Sequence, residues 1–352
     1  MNTTTTSRSQ PNVTLVVPNY NHAHYLPESL GSIAAQTRAP DRVFIIDDCS
    51  TDDSIAVISR FLADHPNWQL IRHETNQGVV RGQNEALALA ETDWIGYLGA
   101  DDALHPTYLE KTLVQAERFP NAGLICGCCE IIGPSIGRML RPAMLPAQTS
   151  TMLTPSNVRD VLLTGDHYFS GTVSLYRRSA LQGLGGFDVS LGSFADGFLA
   201  RRLALSHGFY FLADVLGYWR IHGQNYSTGT VTDPIKLAKS LSKLRTSIAD
   251  SDLFPPDYGT LFERRYRFGA ARLVLESQAS AGTRASHAAS LLGTGLTEAK
   301  LFELLLSAGR IGLIAALAWM TLRTRPMSLT RLLSQLGTRR AILAATPAYH
   351  TP

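Results

Sequence analysis

Five things are scarce or missing in this sequence. Cysteine is scarce: Cys49, Cys126, Cys128 and Cys129 are the whole set in 352 residues, and their spacing lays out no disulfide framework. Three of them share the apolar run from Gly123 to Ile132, where a thiol behaves as a small hydrophobe. No histidine nearby completes a zinc-like ligand set. A reducing cytoplasm is the setting this usage fits. An apolar leader is missing too: Met1 to Asn12 is polar, so no secretory signal is expected. Long apolar runs are missing, since Ile311 to Met320 falls short of the about 20 residues a membrane-spanning helix needs. Charge excess is slight, a formal +3, which gives no reason to expect nucleic acid as a partner. Finally, no strand is followed by Gly-x-Gly-x-x-Gly and no Gly-x-x-x-x-Gly-Lys-Ser/Thr occurs. Both the dinucleotide fingerprint and the P-loop are therefore excluded.

What is present is ordinary globular material, 45% hydrophobic and 17% charged, in a length beyond one usual hydrophobic core. Residues 13–18 read as a buried strand running into Asn19-Tyr20-Asn21-His22. Tyr25 to Gln36 then carries a helix period through Leu26, Leu30, Ile33 and Ala34. A second strand, Arg42 to Ile46, ends in Asp47-Asp48-Cys49-Ser50-Thr51-Asp52-Asp53 and precedes a helix from Ser54 to Asp64. A third, Trp68 to Arg72, leads through Asn76-Gln77-Gly78 into a helix ending near Ala90. A fourth, Asp93 to Leu98, ends in Gly99-Ala100-Asp101-Asp102. Strand–helix alternation at this spacing predicts an α/β, doubly wound, mostly parallel sheet with right-handed crossovers. The four polar strand ends then line one edge, where open α/β sheets bind ligands.

Asp101 and Asp102 decide what that crevice holds. Adjacent carboxylates repel, and a divalent cation removes the cost; Mg²⁺ is typically held by one or two carboxylates plus substrate phosphates. The other reading is a solvated Asp-Asp turn ahead of the helix at Pro106.

Val16-Val17-Pro18-Asn19-Tyr20-Asn21, Ile46 to Asp53, Asn76-Gln77-Gly78 and Gly99-Ala100-Asp101-Asp102 together resemble glycosyltransferase family 2, whose fold is the Rossmann-like GT-A. The resemblance spans roughly residues 13–228. It implies that Pro18, Asn19, Tyr20, Asn21 and Asp48 line a nucleobase pocket, and that Arg81 approaches the base or ribose. It further implies that Asp101 binds ribose, that Asp102 and His222 hold Mg²⁺ or Mn²⁺, and that Arg220 faces the diphosphate. Family members often carry Asp-x-Asp-Asp, and here Gly99 stands in place of the first Asp. The implied activity is metal-dependent, inverting transfer of a sugar from a nucleoside diphosphate, with a UDP-sugar favoured, to a glycan or lipid-linked acceptor. A non-catalytic nucleotide-binding protein of the same fold, or a sugar nucleotidyltransferase, are the rivals.

Further along, Gly185-Gly186-Phe187-Asp188 is a tight glycine turn that lets backbone approach a ligand closely, or else an ordinary turn. The resemblance puts it against the donor sugar. Asp196 stands where a helix N-cap would be, and capping alone accounts for an Asp there; the resemblance makes it the catalytic base. Arg220 and His222 alternate out of a strand and are expected to face one side. The sequence thus divides into a disordered tail (1–12), a donor half (about 13–102), an acceptor half (about 103–228) and a helical region (229–352). In that last region Thr297 to Met320 reads as one helix. Six arginines and no acid follow Glu303, which suits a peripheral contact with an anionic membrane at its cytoplasmic face. A buried core helix is the alternative.

Overall fold

The computed structural model describes residues 10–133, 137–141, 144–166, 169–222, 225 and 228–349; most of the tail expected to be disordered, residues 1–9, lies outside them. Among the described residues ten strands form one sheet: β1 (Val13–Asn19), β2 (Arg42–Asp47), β3 (Trp68–Arg72), β4 (Trp94–Tyr97), β5 (Ala103–Leu104), β6 (Leu124–Ile132), β7 (Met139–Arg141), β8 (Thr151–Leu153), β9 (Ser174–Arg177) and β10 (Phe209–Arg220). The main order is β3-β2-β1-β4-β9-β6-β10-β5, with β7 on β6 and β8 on β10. Strands β1 to β4 are parallel, as are β6 and β10; β9 runs antiparallel between β4 and β6.

Alternation along the central strands sends successive side chains to opposite faces. Val13, Leu15 and Val17 join one core with Val43, Ile45 and Leu30. Val16, Phe44 and Ile46 join the other. Helices α1 (Leu26–Ala34), α2 (Ser54–Asp64), α3 (Val79–Leu89) and α4 (Tyr108–Arg118) connect the strands of the first half. Next come α5 (Pro155–Thr164), α6 (Arg178–Gly183) and α7 (Ala195–His207). Strand β10 is continuous, with register shifts between Phe211 and Gly217 that mark a bulge. The long C-terminal helix is broken at Gly309, whose φ of 63° no continuing helix tolerates.

The remaining helices are α8 (Thr228–Val231), α9 (Pro234–Ala249), α10 (Tyr258–Leu275), α11 (Ala281–Leu292), α12 (Leu296–Leu306), α13 (Gly309–Thr324), α14 (Leu329–Ser334) and α15 (Leu336–Ala345). They share the second core: Leu241, Tyr258, Phe262, Phe302 and Met320 belong to the cluster that contains Val16 and Leu203. Polar bonds pin them as well. Gln335 Nε2 donates to the Leu145 carbonyl, and its Oε1 accepts from the Leu145 amide, both at 2.8 Å. Arg138 pairs with the buried Glu130 at 2.7 and 2.9 Å and also donates to the Thr346 carbonyl. Removing the chain from Leu301 onward would therefore open this core rather than detach a separate unit. All four cysteines are free, and burial pushes the thiols of Cys126, Cys128 and Cys129 up, so they pack as neutral hydrophobes.

Candidate active site

A cavity of about 410 Å³ opens at the carboxyl edge of β1, β2 and β4, and Pro18, Asn19, Tyr20, Asp48, Gly99, Asp101, Asp102 and Asp196 all line it. At its β2 end, Asp48 is nearly enclosed. Its Oδ1 accepts from the Gln77 amide (2.7 Å) and from His73 Nδ1 (2.8 Å), and its Oδ2 from the Gly78 amide (2.8 Å). Burial opposes ionisation, but these bonds outweigh it and hold Asp48 below the usual carboxylate range. His73 reaches Glu85 with its other nitrogen at 2.7 Å, and the two carboxylates outweigh its burial and raise its pKa. Asn19 fixes the adjoining turn by donating to Asp47 and Ser50. Tyr20 is 46% exposed, an aromatic face over the cavity.

Two residues assigned to this end lie elsewhere. Arg81 is exposed on the first turn of α3 and off the cavity wall, where Val79, Val80, Gly82 and Gln83 stand instead. Asn21 locks a turn: at φ 56° its Oδ1 accepts from the Thr51 amide (2.7 Å) and its own amide donates to Ser50 Oγ.

The two members of the acid pair have different surroundings. Asp102 is buried; its Oδ2 accepts from Thr172 Oγ1 (2.6 Å) and its Oδ1 from the Arg220 amide (2.9 Å). Burial, with the Asp101 charge beside it, pushes its pKa well above the ordinary range. Asp101 instead meets two imidazoles. Its Oδ2 stands 2.9 Å from His222 Nε2 and accepts from Asn225 at 3.1 Å. Potential ligand atoms of His22, Asp101 and His222 all lie within 4.8 Å of one another, the one such group among the described residues. Burial also holds His22 below its ordinary pKa, which keeps a lone pair available at neutral pH. Two imidazoles and a carboxylate suit a divalent transition ion, Mn²⁺ better than the oxygen-seeking Mg²⁺. His22 lay in the quoted Asn19-to-His22 turn, but nothing in the sequence singled it out.

Arg220 does not project into the cavity. Its Nε donates to the Asp101 carbonyl (2.9 Å), it pairs with Glu28, and its guanidinium lies 5.2 Å over the Tyr25 ring. The strand ends at Arg220, so His222 reaches Asp101 from a loop rather than by alternation. Glu28 also accepts from the hydroxyl of Tyr349, whose ring lies tilted against Tyr218 with 4.2 Å between centroids. A chain Tyr349–Glu28–Arg220–Asp101 thus braces the acid turn from behind. Tyr349→Phe keeps the ring contact and removes one hydrogen bond to a charged group, worth about 1.5–3 kcal/mol. The expected result is a severalfold weaker affinity for Mn²⁺. A metal titration showing no shift would remove Tyr349 from this brace.

Asp196 lies in the first turn of α7, one residue past its start, and Phe194 occupies the N-cap position. It is therefore no cap; its Oδ1 accepts from the Gly197 amide at 2.6 Å. Burial raises its pKa, opposed more weakly by that amide and by the charges of Arg141 and Arg201. Arg201, itself buried, fixes the turn by donating to the Gly197 carbonyl (2.8 Å) and to Asp166 (3.2 Å), which also accepts from Tyr258 on α10. Arg141 lies 3.8 Å over Trp219, a cavity-wall residue, and its charge reaches both Asp102 and Asp196. A single arginine in a proline-rich connection gave no sign of this role.

The glycine turn serves packing. Gly185 and Gly186 have φ of 85° and 73°, and a Cβ on Gly186 would stand 2.7 Å from Asn84 Oδ1. Asn84 clamps the next residue twice, accepting from the Phe187 amide (2.9 Å) and donating to its carbonyl (2.8 Å). Only Phe187 of the four lines the cavity; Gly185 and Gly186 do not, and Asp188 caps the following turn by accepting from the Ser190 amide.

A half-parallel sheet with an acid at the β2 end, an acid pair and a facing helical acid around one cavity is the GT-A architecture. The solved S. aureus TarS 1–349 in complex with UDP-GlcNAc superposes at a TM-score of 0.58 with 18% identity, over 90% of this chain and 93% of that one. Mannosyltransferase PcManGT from Pyrobaculum calidifontis, in complex with GDP-Man and Mn²⁺, gives 0.53 with 20% identity over 96% and 86%. Within that class the chain belongs to glycosyltransferase family 2: residues 14–185 match the sequence model described as Glycosyl transferase family 2. An uncharacterized glycosyltransferase of Haemophilus influenzae is 27% identical over 224 residues, 62% of this chain and 72% of the relative. The succinoglycan biosynthesis protein ExoO of Rhizobium meliloti is 28% identical over 178 residues, 49% of each chain.

Proposed function

We propose that the protein is a metal-dependent, inverting glycosyltransferase. It moves a sugar from a nucleoside diphosphate, a UDP-sugar by preference, to a hydroxyl of a glycan or lipid-linked acceptor. Surface polysaccharide or glycoconjugate assembly at the cytoplasmic face of a membrane is the setting this reading favours; ExoO, a relative, is named for succinoglycan biosynthesis. The observation that carries it is one cavity lined by Tyr20, Asp48, Asp101 and Asp196, with the His22–Asp101–His222 group at its acid turn. Tyr20 offers a stacking face for the base, and Asp48 accepts from a ring N–H, a group uracil and guanine both carry.

Asp196 accepts the acceptor's hydroxyl proton as that oxygen attacks the anomeric carbon. The bond from that carbon to the diphosphate oxygen breaks on the opposite side, which inverts the configuration. Of the four lining carboxylates, Asp48 and Asp102 accept hydrogen bonds on both oxygens and Asp101 belongs to the metal group, whereas Asp196 is bonded through Oδ1, which favours Asp196 for the proton. Arg141 sets positive charge near Asp102 and Asp196. When bound by His22, Asp101 and His222, a divalent cation would supply charge stabilisation to the departing diphosphate. Hydrolysis and transfer measured over a panel of UDP-, GDP- and dTDP-sugars, with and without Mn²⁺, test the reading. Turnover of one donor class that needs the metal is expected; binding without turnover of any donor would favour the non-catalytic alternative.

A further inference from the structure

Helix α13 is apolar on two opposite faces. Gly312, Ala316 and Met320 are buried on one, and Gly312 is so close to α12 that a Cβ there would strike the Leu305 carbonyl. Ile311, Ile314 and Leu322 on the other face are 79%, 62% and 64% exposed, with the exposed Ala318 between them. Their spacing of three, four and four residues makes one straight stripe about 16 Å long. Trp319 flanks it, 44% exposed, with its Nε1 tied to Glu298 at 3.1 Å. Leu304 on α12 is also largely exposed, at 70%. A surface helix of a soluble protein carries polar side chains where this one carries Ile and Leu. The core and membrane readings of this segment therefore apply to different faces of one helix.

Charge selects the occupant. No acidic residue follows Glu303. Of the six arginines there, Arg323 pairs with Glu298, Arg331 donates to Thr164 and the Pro146 carbonyl, and Arg339 donates to the Leu140 carbonyl. Arg310 and Arg325 are exposed at the two ends of α13 itself. An apolar stripe bracketed by cations is the pattern of a helix lying in the plane of an anionic bilayer. No helix among the described residues is long and apolar enough to cross one.

We infer that the Ile311–Ile314–Ala318–Leu322 face of α13 seats in the interface of an anionic membrane, with Arg310 and Arg325 at the headgroup phosphates. The inference rests on the membrane placement in the preceding reading, and its test is independent of the chemistry. Flotation is measured with vesicles of phosphatidylcholine alone and of phosphatidylcholine with 30% phosphatidylglycerol, using wild type, the double variant I311Q/L322Q and the double variant R310Q/R325N. Wild type is expected to float with the anionic vesicles and to release at high salt. The glutamine pair should lose binding by at least about tenfold. The arginine pair should lose about fivefold per residue, on anionic vesicles only. Melting temperature and donor hydrolysis in the absence of lipid should stay at wild-type values in both variants, because none of these side chains is buried or lines the cavity. Wild type that does not float, or a glutamine pair that floats as well as wild type, overturns the inference. So does a wild-type dimer in sedimentation that I311Q/L322Q converts to monomer without any vesicle binding, which would make a second copy the occupant. Flotation without donor turnover would instead leave the surface standing and remove the transferase reading.

Discussion

Asp196→Asn transfers sugar about 10²–10⁴-fold more slowly than wild type, the usual cost of losing a general base. Donor binding stays intact, because the amide oxygen can still accept from Gly197 and no part of the base-side pocket is touched. The pH dependence follows from burial. A base must be ionised to work, and burial raises the Asp196 pKa, so the acid limb of kcat/KM lies above the ordinary carboxylate range. Linkage has the same origin: a carboxyl whose folded pKa exceeds its unfolded value stabilises the fold below the unfolded pKa, and that stability is lost as pH rises through the folded one. Above that window the ionised Asp196 costs stability, and the asparagine variant should melt at or above the wild-type temperature. Transfer at near wild-type rate would assign the proton to another group. A variant that melts far lower would show that Asp196 holds the fold.

Asp101→Asn and Asp102→Asn separate the two halves of the acid pair. Asp101 shares its oxygen's surroundings with His22 and His222. Losing even an outer-shell partner costs about 10–100-fold in metal affinity, so losing this ligand should cost at least about 100-fold in Mn²⁺-dependent donor binding. Asp102→Asn should do far less. Its oxygen can still accept from the Arg220 amide, and the Thr172 hydroxyl can turn to accept from the new NH₂. The change also removes the like charge that makes the buried Asp102 hard to ionise beside Asp101. Calorimetric titration of UDP with Mn²⁺ into both variants checks this. The opposite pattern, with Asp102→Asn inert to metal and Asp101→Asn normal, would restore the assignment that the sequence suggests.

The unequal surroundings of Asp101 and Asp102 show where sequence reading ends. Central strands were legible because apolar runs such as Val13 to Val17 stop abruptly in polar turns, and the sheet edge collects those turns. Asp48, Asp101 and Asp196 were legible as acids at the ends or starts of such elements. Adjacent acids, however, point in different directions, and the backbone of one turn decides which of them meets the histidines. The rest of the site is made by partners far apart in the chain: Thr172 with Asp102, 70 residues away, and Phe187 with Asn84, 103 residues away. Local periodicity carries no record of such pairs. Arg141 and His22 were invisible for that reason, and the 185–188 turn was left between a ligand approach and an ordinary turn because its clamp, Asn84, is equally remote in the chain.

The Glu28–Tyr349 hydrogen bond joins residues 321 positions apart, and this has a consequence for the order in which the molecule is built. Loop closure on that scale is favourable only after nearer pairings have shortened the loop, and such non-local contacts form late in folding. The parallel strands can therefore assemble while the acid turn still lacks its brace. On refolding from denaturant, far-ultraviolet circular dichroism should recover first, and tight Mn²⁺-dependent nucleotide binding should follow as a separate, slower phase. In wild type that phase ends with the docking of α15 and Tyr349; in Tyr349→Phe it should finish at weaker affinity. Competence to hold a donor is thus acquired at the end of folding, long after the strands that present the donor-side residues are in place.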